Sequence, residues 1–161
     1  MRAAVLTVSD SVCAGTREDL SGPAVRRCLE EAGWVVMQAA VPDEVDRIAD
    51  QLLKWVDDGY VDAVFTTGGT GVATRDVTPE ATRRILHREI PGMGEWMRFE
   101  GMRKTRRAVL SRGLAGTRGK CVVVNLPGSP KGACESLESI LDLVPHIIDL
   151  LRGNTEHGNS R

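Results

Sequence analysis

The chain has 161 residues, which suits one domain that can bury a sizeable core without disulfide bonds. Its 22 acidic and 21 basic residues nearly cancel, and this balance argues against a general nucleic-acid binder. The N-terminus lacks the layout of a signal peptide, and no apolar run approaches the ~20 residues that a membrane span needs. We therefore expect a soluble, cytoplasmic protein that binds neither nucleic acid nor membrane.

Apolar runs alternate with helical patterns along the first half of the chain. Strands are predicted at residues 3–8, 34–41 and 61–67. A helix with Pro23 in its first turn separates the first two strands and ends near Gly33. The next helix has apolar residues at helical spacing from Val45 to Val56, and Asp43 stands where it could cap that helix.

The second half continues the alternation. Helices are predicted from Thr78-Pro79-Glu80, after Pro91-Gly92 and after Pro130, and strands at residues 108–111 and 121–125. Gly113 to Gly119 reads as a glycine-rich turn between these two strands. The last helix is long, and Pro145 should kink it or split it. Residues 153–161 read as a flexible tail.

Strand–helix alternation predicts an α/β layered fold with a mostly parallel sheet, formed by a single domain over residues 1–152. Sheets of this kind bind ligands at the carboxyl ends of their strands. The loops after residues 8, 41, 67 and 125 are therefore the candidate binding loops. Each of them is rich in Gly, Ser, Thr, Asp or Pro.

The third of these loops has the properties of a phosphate cradle. Glycines in Gly68-Gly69-Thr70-Gly71 allow backbone N–H groups to approach an anion, and the helix start at Thr78-Pro79 can add further N–H groups. The spacing is neither that of a Walker A loop nor that of a GxGxxG dinucleotide loop. A tight strand-to-helix turn that simply needs glycine is the alternative, and the adjoining Arg75-Asp76 favours a binding function.

Two carboxylates could accompany the phosphate. Asp76 beside a bound phosphate makes sense if Mg²⁺ lies between them, because Mg²⁺ is commonly held by one or two carboxylates plus phosphate oxygens. Asp43 could be the second carboxylate. Its sequence context, Pro-Asp-Glu before a helix, is equally typical of an ordinary N-cap, and spacing alone favours the cap.

The remaining features are weaker taken singly. Hydroxyl and acidic side chains follow the first strand, and the loop of residues 125–130 is rigid and polar. Eight basic residues and one acid lie between Arg98 and Lys120, which indicates either a solvated surface or an electropositive rim that attracts polyphosphate or an anionic pterin. The four cysteines form no CxxC pair, so a zinc site is not expected, and Cys28 and Cys121 read as core residues.

Together these segments resemble the molybdopterin adenylyltransferase family of molybdenum-cofactor biosynthesis, including its compact bacterial members and the gephyrin G domain. The matching segments are TVSDS, DLSGP, PDE, TTGGTG, RDVTPEAT, GEWMR, LSRGLAGTRGK and NLPGSPKGA, which run in order from about Ala3 to Leu151. The resemblance implies a three-layer α/β/α fold, ATP and molybdopterin as substrates, Mg²⁺, and a homotrimer or dimer of trimers. It also suggests the molybdenum-insertion enzyme as a partner.

The resemblance also assigns roles to single residues. Asp43 and Asp76 are implied as the catalytic and metal-binding carboxylates, and Gly68 to Gly71 as the nucleotide phosphate loop. The residues implied to bind substrate are Ser9, Asp10, Glu95, Ser111, Pro127, Gly128 and Ser129. The implied reaction is adenylyl transfer from Mg-ATP to the phosphate of molybdopterin. Two alternatives stay open: a molybdopterin carrier or scaffold without transferase activity, and a nicotinamide-binding oxidoreductase, which the missing GxGxxG disfavours.

Overall fold

The computed structural model describes residues 1–154, which form one mixed sheet with helices on both faces. The strands are β1 (Arg2–Val8), β2 (Val35–Val41), β3 (Ala63–Thr67), β4 (Arg88–Glu89), β5 (Ala115–Arg118) and β6 (Cys121–Leu126). The helices are α1 (Asp10–Cys13), α2 (Ser21–Glu31), α3 (Val45–Asp57), α4 (Thr78–Ile85), α5 (Pro91–Met102), α6 (Pro130–Glu138) and α7 (Leu143–Leu151). A 3₁₀ helix covers Arg106–Leu110.

The strand order is β2-β1-β3-β6-β5-β4. The four strands β2, β1, β3 and β6 run parallel, while β5 and β4 continue the sheet in antiparallel pairing. Thr67 at the end of β3 is in register with Thr7 on one side and with Leu126 on the other. The mostly parallel sheet is therefore confirmed, and the four candidate loops leave the sheet at one edge.

Alternate residues of the central strands enter two separate cores, as the period of a strand requires. Val5 and Phe65 pack on the side of α2, α5, α6 and α7, whereas Leu6 and Val64 pack on the side of α3 and α4. All four side chains are fully buried. The three-layer α/β/α architecture is confirmed, because each face of the sheet is covered by helices.

The segment between α5 and β6 differs from the sequence prediction. The strand predicted at residues 108–111 is wrong: the 3₁₀ helix lies there, and Val109 and Leu110 are exposed. The strand β5 instead lies inside the predicted glycine-rich turn. Gly116 permits this, because a Cβ at that position would lie 2.4 Å from the Arg88 carbonyl oxygen in the neighbouring β4.

The C-terminal helical region is split, as expected, but at another place. Helix α6 ends at Glu138 and α7 begins at Leu143, so the break precedes Pro145. Pro145 is the third residue of α7, where the missing N–H costs little because first-turn N–H groups have no partner within the helix. Most of the predicted tail, residues 155–161, lies outside the described residues, so its flexibility and the domain boundary at residue 152 remain predictions.

The four cysteines differ in burial, and Cys13 is exposed. Cys121 is buried in the sheet, and burial raises the pKa of its thiol to about 12. Cys28, expected in the core, is only half-buried, and its Sγ lies 3.1 Å from that of Cys134 across the α2–α6 contact. Over residues 1–154, no helix has the length and apolar character to cross a membrane.

Candidate functional site

Two adjoining cavities open at the carboxyl edge of the parallel strands. The larger, of about 410 Å³, lies between the 69–76 loop, α5, the 3₁₀ helix and the start of α6. The smaller, of about 350 Å³, lies between the loop after β1, residues 17–21 and Asp43. Both volumes are typical of small-molecule sites. The two cavities share a wall formed by Gly69, Gly128 and Ser129.

Glycine is required in this wall at Gly69 and beside it at Gly68, because both have a positive φ and neither has room for a Cβ. Gly68 has a φ of +101°, and a Cβ there would lie 2.3 Å from the Val8 carbonyl oxygen. Gly69 has a φ of +64°, and its Cβ would lie 2.3 Å from Thr78 Oγ1. A Cβ on Gly128 would lie 3.2 Å from the Cα of Gly68. The loops after β3 and β6 are therefore in direct contact.

The start of α4 holds the glycine loop in place. The Thr78 hydroxyl donates to the Gly68 carbonyl at 2.9 Å, and the Thr78 N–H donates to the Gly69 carbonyl at 3.1 Å. Thr78 is fully buried. The sequence suggested these Thr78 donors for anion binding, but both of them bind carbonyl groups of the glycine loop. The start of α4 therefore fixes the conformation of Gly68 and Gly69.

Asp43 does not cap α3. The N-cap position belongs to Glu44, which makes no side-chain cap hydrogen bond. The Asp43 carboxylate instead accepts the N–H of Asp10 at 2.8 Å and lines the smaller cavity. Partial burial, with the neighbouring charges of Asp10 and Asp76, raises the pKa of Asp43 above its ordinary value. An acid that is costly to ionise is a reasonable candidate for a functional carboxylate.

Asp10 is balanced by an arginine from another loop. The Nε and Nη2 atoms of Arg75 donate to the Asp10 carboxylate at 3.0 and 2.7 Å. This guanidinium lowers the pKa of Asp10. Asp10 lines neither cavity, and it is connected to the smaller cavity by its hydrogen bonds with Asp43.

Asp76 lies on the other side of the wall, in the larger cavity. Its Oδ2 accepts the N–H of Ala73 at 2.8 Å. Gly71 makes room for this carboxylate, since a Cβ at Gly71 would lie 2.7 Å from Asp76 Oδ2. The Asp76 carboxylate thus packs against Gly71 and binds the Ala73 N–H, so it stabilises the turn formed by residues 71–76.

The two carboxylates suit a hard cation that is shared with a substrate. Within residues 1–154, Asp43 and Asp76 each use Oδ2 for a backbone N–H, and neither Oδ1 has a hydrogen-bond partner. The same residues contain no group of three or more His, Cys, Asp or Glu that could hold a metal ion alone. Mg²⁺ commonly takes one or two carboxylates and completes its shell with water and substrate phosphates. The donor set fits that pattern.

The other predicted site residues are only partly brought together. Ser111 and Pro127 line the larger cavity, Ser9 lines the smaller, and Gly128 and Ser129 line both. The Ser9 and Ser129 hydroxyls also cap α1 and α6. Glu95 is exposed on α5 and lines neither cavity, so its substrate contact remains a prediction.

Several lining residues were not identified from the sequence. They are Arg98, Arg107 and Asn125 in the larger cavity, and Arg17 and Asp19 in the smaller. Arg98 and Arg107 belong to the basic run, Asn125 to the rigid polar loop of residues 125–130 and Asp19 to the acids after the first strand, so the sequence indicated these segments without assigning the residues a role. The Asn125 amide donates to Thr66 Oγ1 at 3.0 Å and to Thr82 Oγ1 at 2.9 Å, both in segments distant in sequence.

A family model and the sequences of known proteins both relate this chain to proteins that bind or adenylylate molybdopterin. Residues 4–146 match the family model described as a probable molybdopterin binding domain. The chain is 41% identical over 160 residues to the molybdopterin adenylyltransferase of Helicobacter pylori strain J99, covering 98% of this chain and 91% of that protein. It is 36% identical over 168 residues to the molybdopterin adenylyltransferase of Escherichia coli K12, covering 95% and 86%.

A solved structure is similar over nearly the whole fold. The crystal structure of the molybdopterin biosynthesis enzyme MoaB from Thermus thermophilus superposes with a TM-score of 0.88 at 49% sequence identity. The match covers 94% of this chain and 96% of that one.

Proposed function

The chain belongs to the molybdopterin adenylyltransferase family, and from this membership we propose that it transfers the adenylyl group of ATP to the phosphate of molybdopterin. The products are adenylyl-molybdopterin and pyrophosphate, and the step belongs to molybdenum-cofactor biosynthesis. One observation supports this reaction best. Two cavities, each large enough for a small molecule, share a wall of glycine and serine, with Asp43 on one side and Asp76 on the other.

That arrangement suits a reaction between two phosphorylated substrates. One substrate occupies each cavity, and their phosphates meet at the wall formed by Gly69, Gly128 and Ser129. Holding both reactants in a fixed geometry can supply roughly 7–11 kcal/mol of the barrier reduction. The glycines keep this wall thin, because a Cβ at Gly69 would collide with Thr78 Oγ1 and a Cβ at Gly128 would be in tight contact with Gly68.

The chemistry needs no general base. The molybdopterin phosphate is already ionised at neutral pH, and one of its oxygens attacks the α-phosphorus of ATP. The new P–O bond forms as the bond between the α-phosphorus and its bridging oxygen breaks, and pyrophosphate leaves with that electron pair. The absence of a Ser-His-Asp arrangement from the cavity walls is consistent with this mechanism.

The residues of the chain have to bring two anions together. The Gly68–Gly71 loop binds the nucleotide phosphates, and Arg98 and Arg107 supply positive charge in the larger cavity. Mg²⁺, when held by Asp43 and Asp76, would neutralise phosphate charge at the wall. The proposed substrate contacts that line the cavities are Ser9, Ser111, Pro127, Gly128 and Ser129. Asp10 and Glu95 line neither cavity, and their substrate contacts are proposed from the family resemblance alone.

Pyrophosphate release separates an enzyme from a carrier. Purified protein is incubated with ATP, Mg²⁺ and molybdopterin, and pyrophosphate is measured beside controls that lack molybdopterin or contain Asp76→Asn protein. Release that requires both molybdopterin and Asp76 supports the transferase. Tight molybdopterin binding without any release would support a carrier or scaffold instead.

We further propose a cytoplasmic location, with the molybdenum-insertion enzyme as the partner that receives the adenylylated product. The chemistry supports a hand-over, because adenylyl-molybdopterin is an activated intermediate with a cleavable phosphoanhydride. Co-purification of that enzyme with the tagged chain from cell extract tests the contact.

A further inference from the structure

Arg112 lies directly between two residues that line the larger cavity, Ser111 and Gly113, but it does not line the cavity itself. Its backbone N–H donates to the Thr70 carbonyl at 2.8 Å. Its Nε donates to the Gly71 carbonyl at 2.7 Å, and its Nη2 donates to the Asp76 carbonyl. One residue therefore binds three carbonyl groups of the loop that carries the phosphate-binding glycines and Asp76.

The guanidinium is anchored from behind by α4. The Glu80 carboxylate accepts hydrogen bonds from both Nη1 and Nη2 of Arg112. This pairing lowers the pKa of Glu80 and raises that of Arg112. Four of the five N–H groups of the side chain are thus engaged with protein acceptors, and the side chain lines neither cavity.

Arginine is suited to this position in a way that lysine is not. The planar guanidinium offers donors in a rigid fork, whereas the lysine ammonium is a single point charge on a flexible stem. The Gly71, Asp76 and Glu80 acceptors are bound by three different nitrogens of Arg112, Nε, Nη2 and Nη1. Lysine has a single nitrogen and would have to reach all three acceptors from one point.

The hydrogen bonds of Arg112 to the loop carbonyls also fix the orientation of the neighbouring N–H groups. A peptide bond is planar and trans, so its N–H points away from its own C=O. By binding the Thr70 and Gly71 carbonyls, Arg112 also sets the directions of the N–H groups of Gly71 and Val72. Anchoring of the Asp76 carbonyl fixes the end of the same loop.

We propose that Arg112 is a positioning residue that holds the 70–76 loop, with its N–H groups and the Asp76 carboxylate, in the conformation that binds phosphate. It acts through the loop and not by touching substrate. The catalytic part of this inference rests on the proposed adenylyl transfer, while the structural part can be measured without it.

The matched control is Arg118. Its guanidinium also pairs with a carboxylate, that of Asp57, and also donates to a carbonyl, that of Ile85, but it binds no residue of the 70–76 loop. Arg112→Gln, Arg112→Lys, Glu80→Gln and Arg118→Gln are compared by thermal melting, by amide hydrogen exchange over residues 70–77, and by kcat and KM for pyrophosphate release.

We expect Arg112→Gln to stay folded, to exchange the 70–77 amides faster, and to lose about tenfold to a hundredfold in kcat. Arg112→Lys should fail to restore either property, and Glu80→Gln should give an intermediate effect because Arg112 remains. Arg118→Gln should leave loop exchange and kcat unchanged. Full recovery in Arg112→Lys would show that charge alone matters and would overturn the positioning role.

The positioning role would also be overturned if amide hydrogen exchange over residues 70–77 were the same in Arg112→Gln as in wild type. Should Arg112→Gln fail to fold, Glu80→Gln still decides, because it loosens the anchor without removing the arginine. Normal exchange and normal kcat in folded Glu80→Gln would then count against the proposal. If the wild-type protein releases no pyrophosphate, the proposed function fails, but the exchange difference between Arg112→Gln and Arg118→Gln remains a test of loop positioning.

Discussion

Asp10 and Asp43 exchange hydrogen bonds reciprocally: the N–H of Asp10 donates to Asp43 Oδ2 at 2.8 Å, and the N–H of Asp43 donates to Asp10 Oδ1 at 2.9 Å. The pair joins the loop after β1 to the loop after β2. It brings two carboxylates together at the edge of the smaller cavity, and the hydrogen bonds of Arg75 go to Asp10 and not to Asp43. Asp43 therefore carries a charge that the fold does not fully compensate.

Asp43→Asn should separate stability from activity. The amide oxygen can still accept the Asp10 N–H, whereas the costly negative charge is removed. We expect a melting temperature at neutral pH that equals or exceeds that of wild type, and a loss of adenylyl transfer on the order of a hundredfold. Asp46→Asn, which removes a surface carboxylate paired with Arg84, is the control and should leave transfer unchanged.

The pH dependence of stability should have opposite signs at the two aspartates. The pKa of Asp43 is raised, so its ionisation destabilises the native state as pH rises from 3.8 through the native pKa. The pKa of Asp10 is lowered, so its ionisation stabilises the native state above 3.8, and this contribution is lost as pH falls through the native pKa. Urea unfolding of wild type, Asp43→Asn and Asp10→Asn across this pH range gives the contribution of each aspartate to the free energy of unfolding. If the two contributions changed with pH in the same direction, the opposite pKa shifts of Asp43 and Asp10 would be contradicted.

Asp76→Asn should abolish most of the transfer with the fold intact. The asparagine oxygen can keep the hydrogen bond from Ala73, so the loop should persist while the ligand for Mg²⁺ is weakened. Binding to the native state raises stability, so ATP with Mg²⁺ should increase the melting temperature of wild type much more than that of the variant. Near-normal turnover of Asp76→Asn at saturating Mg²⁺ would refute the metal-binding role.

Two glycines with similar backbone conformations offer a further comparison. Gly69 and Gly119 have φ of +64° and +55°, so the backbone strain of alanine at either position should by itself cost roughly 1–2 kcal/mol of stability. Only at Gly69 does a Cβ meet neighbours, Thr78 Oγ1 at 2.3 Å and Asp43 Oδ1 at 3.3 Å, while Gly119 has open space. Gly69→Ala should therefore lose transfer, and Gly119→Ala should lose stability alone. Equal activity in the two variants would show that the shared wall is not part of the site.

The buried strands β1, β3 and β6 could be predicted from the sequence because such strands appear as continuous apolar runs. The half-buried edge strand β2 also lies close to its predicted position. Strand β5 could not be predicted from the sequence. It needs Gly116 for its close approach to β4, and glycines in a sequence also indicate turns. Asp43 has the local pattern of a cap, and its actual partner, Asp10, is 33 residues away. Arg112 had no distinguishing local pattern within the basic run, because its acceptors lie 32–41 residues earlier.

Assembly into a homotrimer, or a dimer of trimers, is the expectation from the family. Exposed apolar side chains of α5 and the 3₁₀ helix offer surface for such contacts; they are Trp96, Phe99, Met102, Val109 and Leu110. Sedimentation equilibrium at micromolar concentration should give three or six times the mass of the chain. A stable monomer under these conditions would contradict the expectation.

The location of the transferred phosphate tests the central claim most directly. Crystals grown with α,β-methylene-ATP and Mn²⁺, which replaces Mg²⁺ and scatters anomalously, should show the α-phosphate beside the Gly68–Gly71 loop. We expect an anomalous peak at the shared wall, with Asp43 and Asp76 among the manganese ligands. A nucleotide whose α-phosphate lies away from that loop, or manganese bound without either aspartate, would contradict the site described above.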